Sequence, residues 1–322
     1  LARALVVITP AEGHVNPSLG LVQQLVKQGE EVTYVCTEEY RERIEATGAK
    51  VLTYTYDMGS FAEDPVLKPI IYKHPYQFIQ FILRGMIKPI IPEVLALTEQ
   101  DTYDYLIYDY LLGWGGQMIA ERLGIPAVCS ITSFVFTKPL GSEQKMTAQE
   151  EQEMQAIYDS SMEIAKQLAD RYQLSVPEIS DIFKAYGELK VVHLSRDLQP
   201  DAEQLDDSYV FTGSSIVPRM DAPTFKALYY NVPLVMIPLT SDQPMVAQQV
   251  QKRGAGVIVD HQSLTPEVLR NALLEVLNHP IYKENARSIG KSLREAGGYE
   301  RAAEMVMKVV GKTASQPLST QK

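Results

Sequence analysis

Cysteine is scarce in this sequence: Cys36 and Cys129 are the only two in 322 residues, each inside an apolar run. Neither belongs to a CxxC pair or to a Cys/His spacing that would hold zinc. A disulfide framework is therefore set aside, and two buried free thiols in a reducing compartment are expected. A basic excess is lacking too. The net charge is −10 and the pI about 5.1. A nucleic-acid binder would show a basic face, and adsorption to anionic membrane needs a basic cluster. The acidic balance reads as solubility. No apolar run reaches the roughly 18 residues that a membrane span requires. The opening "ALVVITP" is too short for a signal-peptide core and has no cleavage pattern, so a cytoplasmic protein is expected. There is no GxGxxG after the first strand and no P-loop, which disfavours a dehydrogenase and an ATPase. No His/Asp/Glu group has metal-ligand spacing, and no internal repeat or low-complexity block is present.

What is there is an ordinary globular composition, 45% hydrophobic and 22% charged, in a chain long enough for two domains. "ALVVIT" reads as a strand buried on both faces. Asn16 and Pro17 then read as the cap and first residue of a helix, with Leu19, Val22, Leu25 and Val26 at helical spacing and Gly29 at its end. "EVTYVCT", a helix ending at Gly48, and "KVLTYTY" complete a β-α-β-α-β opening, the pattern of a parallel sheet with right-handed crossovers. From Asp57 to Leu97 the pattern loosens into apolar and aromatic residues without clear period. "DYLIYDY", "IPAVCSITS", "LKVVHLSR" and "YVFTGSS" read as further strands, so residues 1–213 form one doubly wound α/β domain. The second part, 214–311, shows one clear buried strand in "PLVMIPL" plus "GVIVD", several helices, and Thr265-Pro266 as a helix start. An independent α/β domain needs more sheet than that. The tail, 312–322, is polar.

In an open parallel sheet, ligands bind beyond the carboxyl ends of the strands. His14 lies just past the first strand, and Asp109 ends the "DYLIYD" strand. If those strands are close, the two side chains converge. A carboxylate on one imidazole nitrogen fixes the tautomer and stabilises the protonated form, which makes the other nitrogen a general base for a hydroxyl group. Gly13 would let a ligand approach the backbone. Two readings of His14 stand side by side: this base, or a loop residue bonded to a carbonyl. Asp109 likewise is either its partner or the cap of the next helix. His193, mid-strand, reads as a satisfied core residue, and His74, His261 and His279 as loop residues.

At these residues the sequence resembles the family 1 UDP-dependent glycosyltransferases of the bacterial macrolide type. Four blocks carry the resemblance, in the family's order. They are "ITPAEGHVNPSLGLVQQLVKQGEEVTYVCTEEYRERIEATGAKV", "DYLIYDYLLGWG" with "RLGIPAV", "FTGSSIVPR", and "ALYYNVPLVMIPLTSDQPMVAQQVQKRGAG". The resemblance implies an α/β GT-B fold, two Rossmann-like domains facing across a cleft. An acceptor domain (1–213) would face a nucleotide-sugar domain (214–311). It implies inverting transfer of a sugar, glucose by default, from a UDP-sugar to a hydroxyl of a small hydrophobic acceptor such as a flavonoid or macrolide. His14 would take the hydroxyl proton, and Asp109 would orient His14 and balance its charge. Asp242 and Gln243 match the pair that holds the sugar hydroxyls, a job that suits an acid and an amide chemically; capping of the next helix by Asp242 is the plainer alternative. Gly13 would lie on the donor side. No cofactor and no catalytic metal are implied, only the UDP-sugar co-substrate and the acceptor, and a monomer is expected. Phe61, Phe78 and Ile82 are the candidates to line the acceptor pocket, with Thr132 and Ser133 at the end of a strand; core packing explains the same apolar residues. A UDP-sugar epimerase or hydrolase, and a non-catalytic acceptor-binding protein with a vestigial donor half, are the rival functions.

The resemblance breaks between "VPRMDAPTF" and "ALYYN". The family carries several strands and helices there, and a loop opening a helix whose first turn binds the UDP phosphates, as expected at a helix N-terminus. Here that stretch is absent, and Lys226 stands where the family has a ribose-binding Glu. A sheet stripped of strands exposes apolar faces. The expectation is therefore that the chain is interrupted within about Pro223 to Leu228.

Overall fold

A computed structural model describes residues 2–56, 74–137, 147–213, 223–239 and 243–313. Its centre is a seven-stranded sheet, all parallel: β1 (Arg3–Val7), β2 (Glu31–Cys36), β3 (Lys50–Thr53), β4 (Tyr105–Asp109), β5 (Ala127–Ile131), β6 (Leu189–Val192) and β7 (Tyr209–Phe211). The order is β3-β2-β1-β4-β5-β6-β7. The order reverses between β1 and β4, so the topological switch, where such sheets bind ligands, lies between these two strands. Side chains alternate through the sheet. Leu5 and Val7 enter the apolar layer on one face, while Ala4, Val6 and Ile8 enter the layer on the other.

Helix α1 (Glu12–Lys27) covers the second face with Val15, Leu19, Val22 and Leu25, beside Ile44 of α2 (Arg41–Glu45). The first face is covered by a continuous helical stretch, α3 (Pro75–Phe81), a π turn (Ile82–Ile87) and α4 (Lys88–Thr98), together with α5 (Trp114–Leu123) and α6 (Ala148–Tyr172). Most of the part of 57–97 that is described is thus regular helix, which the sequence pattern did not show. The cause is visible at Pro89. It has no N–H to give the carbonyl four residues back, Gly85, and that carbonyl instead accepts the Tyr56 hydroxyl at 2.6 Å. The π turn lies at the same place, where the helical ladder is interrupted. Gly116 of α5 sits where any Cβ would enter the ring of Tyr108, so the missing side chain lets the helix lie against β4.

The C-terminal part holds α7 (Pro223–Tyr229), β8 (Leu234–Met236), α8 (Gln243–Lys252), β9 (Gly256–Ile258), α9 (Pro266–Asn278), α10 (Pro280–Glu295) and α11 (Gly298–Thr313). Thr265 caps α9, accepting from Val268 N–H at 3.2 Å, with Pro266 first in the helix as expected. Among the described residues of this part, β8 and β9 pair, in parallel. Helix and loop residues Leu239, Leu273, Leu274, Leu277 and Ile281 are exposed, Leu277 by 74%, while β8 and β9 are half-buried. Within Pro223–Leu228 the chain runs as α7. The last helix, α11, turns back to the first sheet and lays Ala302, Ala303 and Val306 into the layer that α1 occupies.

Candidate active site

The carboxyl ends of β1 and β4 lie side by side, since Val7 pairs with Tyr108. Beyond β1 the chain does not wait for Asn16 to start its helix, as capping preference predicts. α1 begins at Glu12 after the extended Ala11, and Pro17 falls inside the helix. The reason is a set of polar contacts reaching across sequence. Arg43 grips the Glu12 carboxylate with both terminal nitrogens, at 2.9 and 2.6 Å, and Asn16 donates to the same carboxylate at 2.8 Å. Asn16 is thus a brace within the first turn and not a cap. Glu12 also places negative charge at the positive end of the helix. His14 is thereby a helical residue in the first turn, and the space over Gly13 is open, with nothing within 4 Å of a Cβ placed there.

Asp109 ends β4 with its side chain fully buried. Its two oxygens have separate tasks. Oδ1 accepts from Leu111 N–H at 2.7 Å and caps the short turn Tyr110–Leu112, and Oδ2 accepts from His14 Nδ1 at 2.8 Å. The capping and partnering readings of Asp109 both hold at once. The His14 side chain keeps 25% of its surface exposed. A carboxylate only accepts, so Nδ1 carries the proton and Nε2 is the basic nitrogen. Thr132, one residue past β5, brings Oγ1 to 3.2 Å from the same Nδ1. Ser133 follows it, half-buried.

Behind the pair, Ser130 is in register with Asp109 and bonds Nε2 of His193 at 3.0 Å. His193 is 3% exposed, and burial holds its imidazole down at about 4, against the pull of the Asp109 charge. It is a neutral, bonded core residue, as its place in the strand suggested. His74 caps α3, accepting from Tyr76 N–H at 3.2 Å.

Phe78 joins an aromatic group that the sequence did not reveal: its ring lies 4.7 Å from Phe183 edge-on and 6.3 Å from Phe136, and Tyr110 lies 4.5 Å from Phe183. Tyr110 adjoins Asp109 in the chain, so this group begins beside the His14–Asp109 pair. Its rings come from four separate segments, and only the Tyr110 position next to Asp109 could have hinted at it. Ile82 is fully buried at the start of the π turn and belongs to the core beneath. Phe61 and Asp242 lie outside the described residues. Gln243 is the first residue of α8, exposed, and its side-chain oxygen accepts from Leu239 N–H at 2.9 Å. The structure thus brings His14, Asp109 and Thr132 together. Cys36 and Cys129 are buried free thiols, and burial pushes the Cys36 thiol up to about 12. Among the described residues no helix is long and apolar enough to cross a membrane, and no group of three or more His, Cys, Asp or Glu is placed to hold a metal.

A parallel seven-stranded sheet followed by a partial second α/β unit is the arrangement of a GT-B fold. Known structures agree: the chain matches the calicheamicin glycosyltransferase CalG4 with a TM-score of 0.79 at 19% identity, covering 97% of this chain and 99% of that one. It matches the glycotransferase of kitacinnamycin with a TM-score of 0.76 at 19% identity, covering 95% and 98%. A profile for UDP-glucoronosyl and UDP-glucosyl transferases matches residues 221–294. The uncharacterized UDP-glucosyltransferase YojK of Bacillus subtilis is 26% identical over 96% of this chain and 98% of its own length. Oleandomycin glycosyltransferase of Streptomyces antibioticus is 25% identical over 63% of this chain and 46% of its own. The chain is thus similar to UDP-glycosyltransferases over nearly its whole length, and its fold is that of the GT-B glycosyltransferases, with the C-terminal domain incomplete. The alignment to YojK spans 401 positions against 322 residues here, so dozens of positions in that relative face no residue of this chain.

Proposed function

We propose that the protein transfers a sugar, glucose by default, with inversion from a UDP-sugar to a hydroxyl of a small hydrophobic acceptor of the flavonoid, macrolide or phenolic kind. The observation that carries this reading is the His14 Nδ1–Asp109 Oδ2 bond of 2.8 Å at the sheet's switch point, under the open space at Gly13. His14 Nε2 takes the proton from the acceptor oxygen as that oxygen attacks the anomeric carbon. The bond from that carbon to UDP breaks on the opposite side, and UDP leaves with the electron pair. Asp109 balances the imidazolium in a site closed to water on its own side.

The rings of Phe78, Phe136, Phe183 and Tyr110 give a hydrophobic acceptor its surface, beside Ser133. This reading replaces Ile82 with residues of that group. On the donor side, Gly13 offers close backbone approach at the positive end of α1, and Asp242 with Gln243 take the sugar hydroxyls. Residues 1–213 serve as the acceptor unit and 214–311 as the donor unit, in a cytoplasmic monomer. No catalytic metal enters this scheme. The names of the relatives support a nucleotide-sugar donor and natural-product acceptors: YojK is described as a UDP-glucosyltransferase and the Streptomyces protein as an oleandomycin glycosyltransferase.

The test pairs two measurements. Wild-type protein with UDP-glucose and a panel of phenols and macrolides gives a glycosylated product by mass spectrometry, and His14→Ala gives none while its melting curve is unchanged. Calorimetry with UDP checks the shortened donor half directly. Binding of acceptor without any binding of UDP, or near-native turnover by His14→Ala, overturns the reading.

A further inference from the structure

His14 Nδ1 has two oxygens within hydrogen-bond reach, from two different strands. Asp109 Oδ2 at 2.8 Å comes from the end of β4, and Thr132 Oγ1 at 3.2 Å from just past β5. We propose that Thr132 is a positioning residue for His14, its hydroxyl oxygen serving as the second acceptor of the Nδ1 proton. This rests on the reading of His14 as the general base. Nδ1 carries one proton, and the carboxylate has the shorter claim to it. A hydroxyl at 3.2 Å then shares that proton through a lone pair, as in a three-centre bond.

Two consequences follow from the geometry. With acceptors on β4 and β5, the imidazole is held from two sides and its plane is fixed. Thr132 suits the task because a β-branched side chain has few rotamers to lose. An oxygen lone pair aimed at Nδ1–H also favours the imidazolium over the neutral ring, since hydrogen bonds to charged groups are the stronger ones. Asp109 is the bonded partner of His14, and Glu12, two residues before His14 on α1, is gripped by Arg43. The sequence had suggested Thr132 only as a wall of the cleft, and a wall residue and a positioning residue behave differently when changed.

The test uses the full-length protein and the variants Thr132→Val, which keeps the shape and deletes the hydroxyl, and Thr132→Ser, which keeps it. The first readout needs no substrate. Nitrogen-15 NMR follows the His14 imidazole through a pH titration. Thr132→Val is expected to reduce the proton affinity of His14 about fivefold, a fall of about 0.7 in its pKa, and Thr132→Ser to restore it. The second readout is kinetic, with UDP-glucose and a phenol. Thr132→Val is expected to lower kcat about 5- to 50-fold with acceptor KM within about twofold, and Thr132→Ser to stay near wild type. An unchanged His14 titration in Thr132→Val overturns the proposal. So does a rise in acceptor KM at constant kcat, the signature of a wall residue. If Thr132→Val does not fold, Thr132→Ala carries the same two readouts. If wild-type protein transfers no sugar, the general-base reading fails, and the titration still decides what Thr132 does to His14.

Discussion

Replacing Asp109 with Asn changes almost no volume and should nearly silence the enzyme. The structure dictates how the new amide must lie. Leu111 N–H, at 2.7 Å from Oδ1, needs an acceptor, so the Asn oxygen takes that place. The amide nitrogen then faces His14 Nδ1 at the former 2.8 Å contact. An amide N–H donates, so Nδ1 must become the acceptor and the imidazole proton moves to Nε2. The base is left with its lone pair on the wrong nitrogen. Loss of a charge-assisted bond accounts for about 1.5–3 kcal/mol, which is about 10- to 150-fold in rate at 1.36 kcal/mol per decade. With the tautomer reversed, the expected loss in kcat is about 10²- to 10⁴-fold. The assay is initial-rate release of UDP coupled to product detection by mass spectrometry. Two controls accompany it: the melting temperature moves by a few degrees at most, and acceptor binding is retained. Asp109→Asn activity within about threefold of wild type would refute the argument.

Two further outcomes test the frame around the pair. His193 is held near 4 when folded, against about 6.5 when unfolded, so below 6.5 the unfolded chain binds a proton that the folded one refuses. Its contribution is present above about pH 6.5 and is lost as pH falls towards 4, by about 3 kcal/mol at most. In denaturant melts across that window His193→Gln, which can still bond Ser130, should lose this part of the acid sensitivity; an identical slope refutes it. Cys36 and Cys129 should both resist a thiol reagent in the native protein and both react after denaturation, and rapid native labelling of either contradicts their burial.

The strands of the first sheet could be read from sequence because each is a short, nearly continuous apolar run, the mark of a strand covered on both faces. Their order was not in those runs. That His14 and Asp109 meet depends on β4 pairing with β1, a fact of topology, and the sequence supplied only the two residue types at two strand ends. The start of α1 was misplaced by the Asn16-Pro17 pair. Local capping preference was overruled by Arg43, which lies far along the chain and cannot be seen in a window around Glu12. The helical stretch through Ile82–Ile87 was hidden by its prolines and made possible by a distant tyrosine hydroxyl. The aromatic group at Phe78 escaped notice because its members are scattered over more than a hundred residues and no periodicity links them. The shortened donor half was legible as too little sheet. What was not legible was the short helix at Pro223–Tyr229.

The return of α11 to the first sheet has a consequence for how the protein is made. The layer over Ala4, Val6 and Tyr34 contains residues that lie far apart along the chain, Val15 and Leu19 on one side and Ala302 and Val306 on the other. Domains emerging from the ribosome generally fold in order, N-terminal first. Here the strands of the first sheet wait for a helix made much later. Part of their apolar cover is therefore missing until Ala302 and Val306 have been made, and the helix that carries His14 is sealed in place only then.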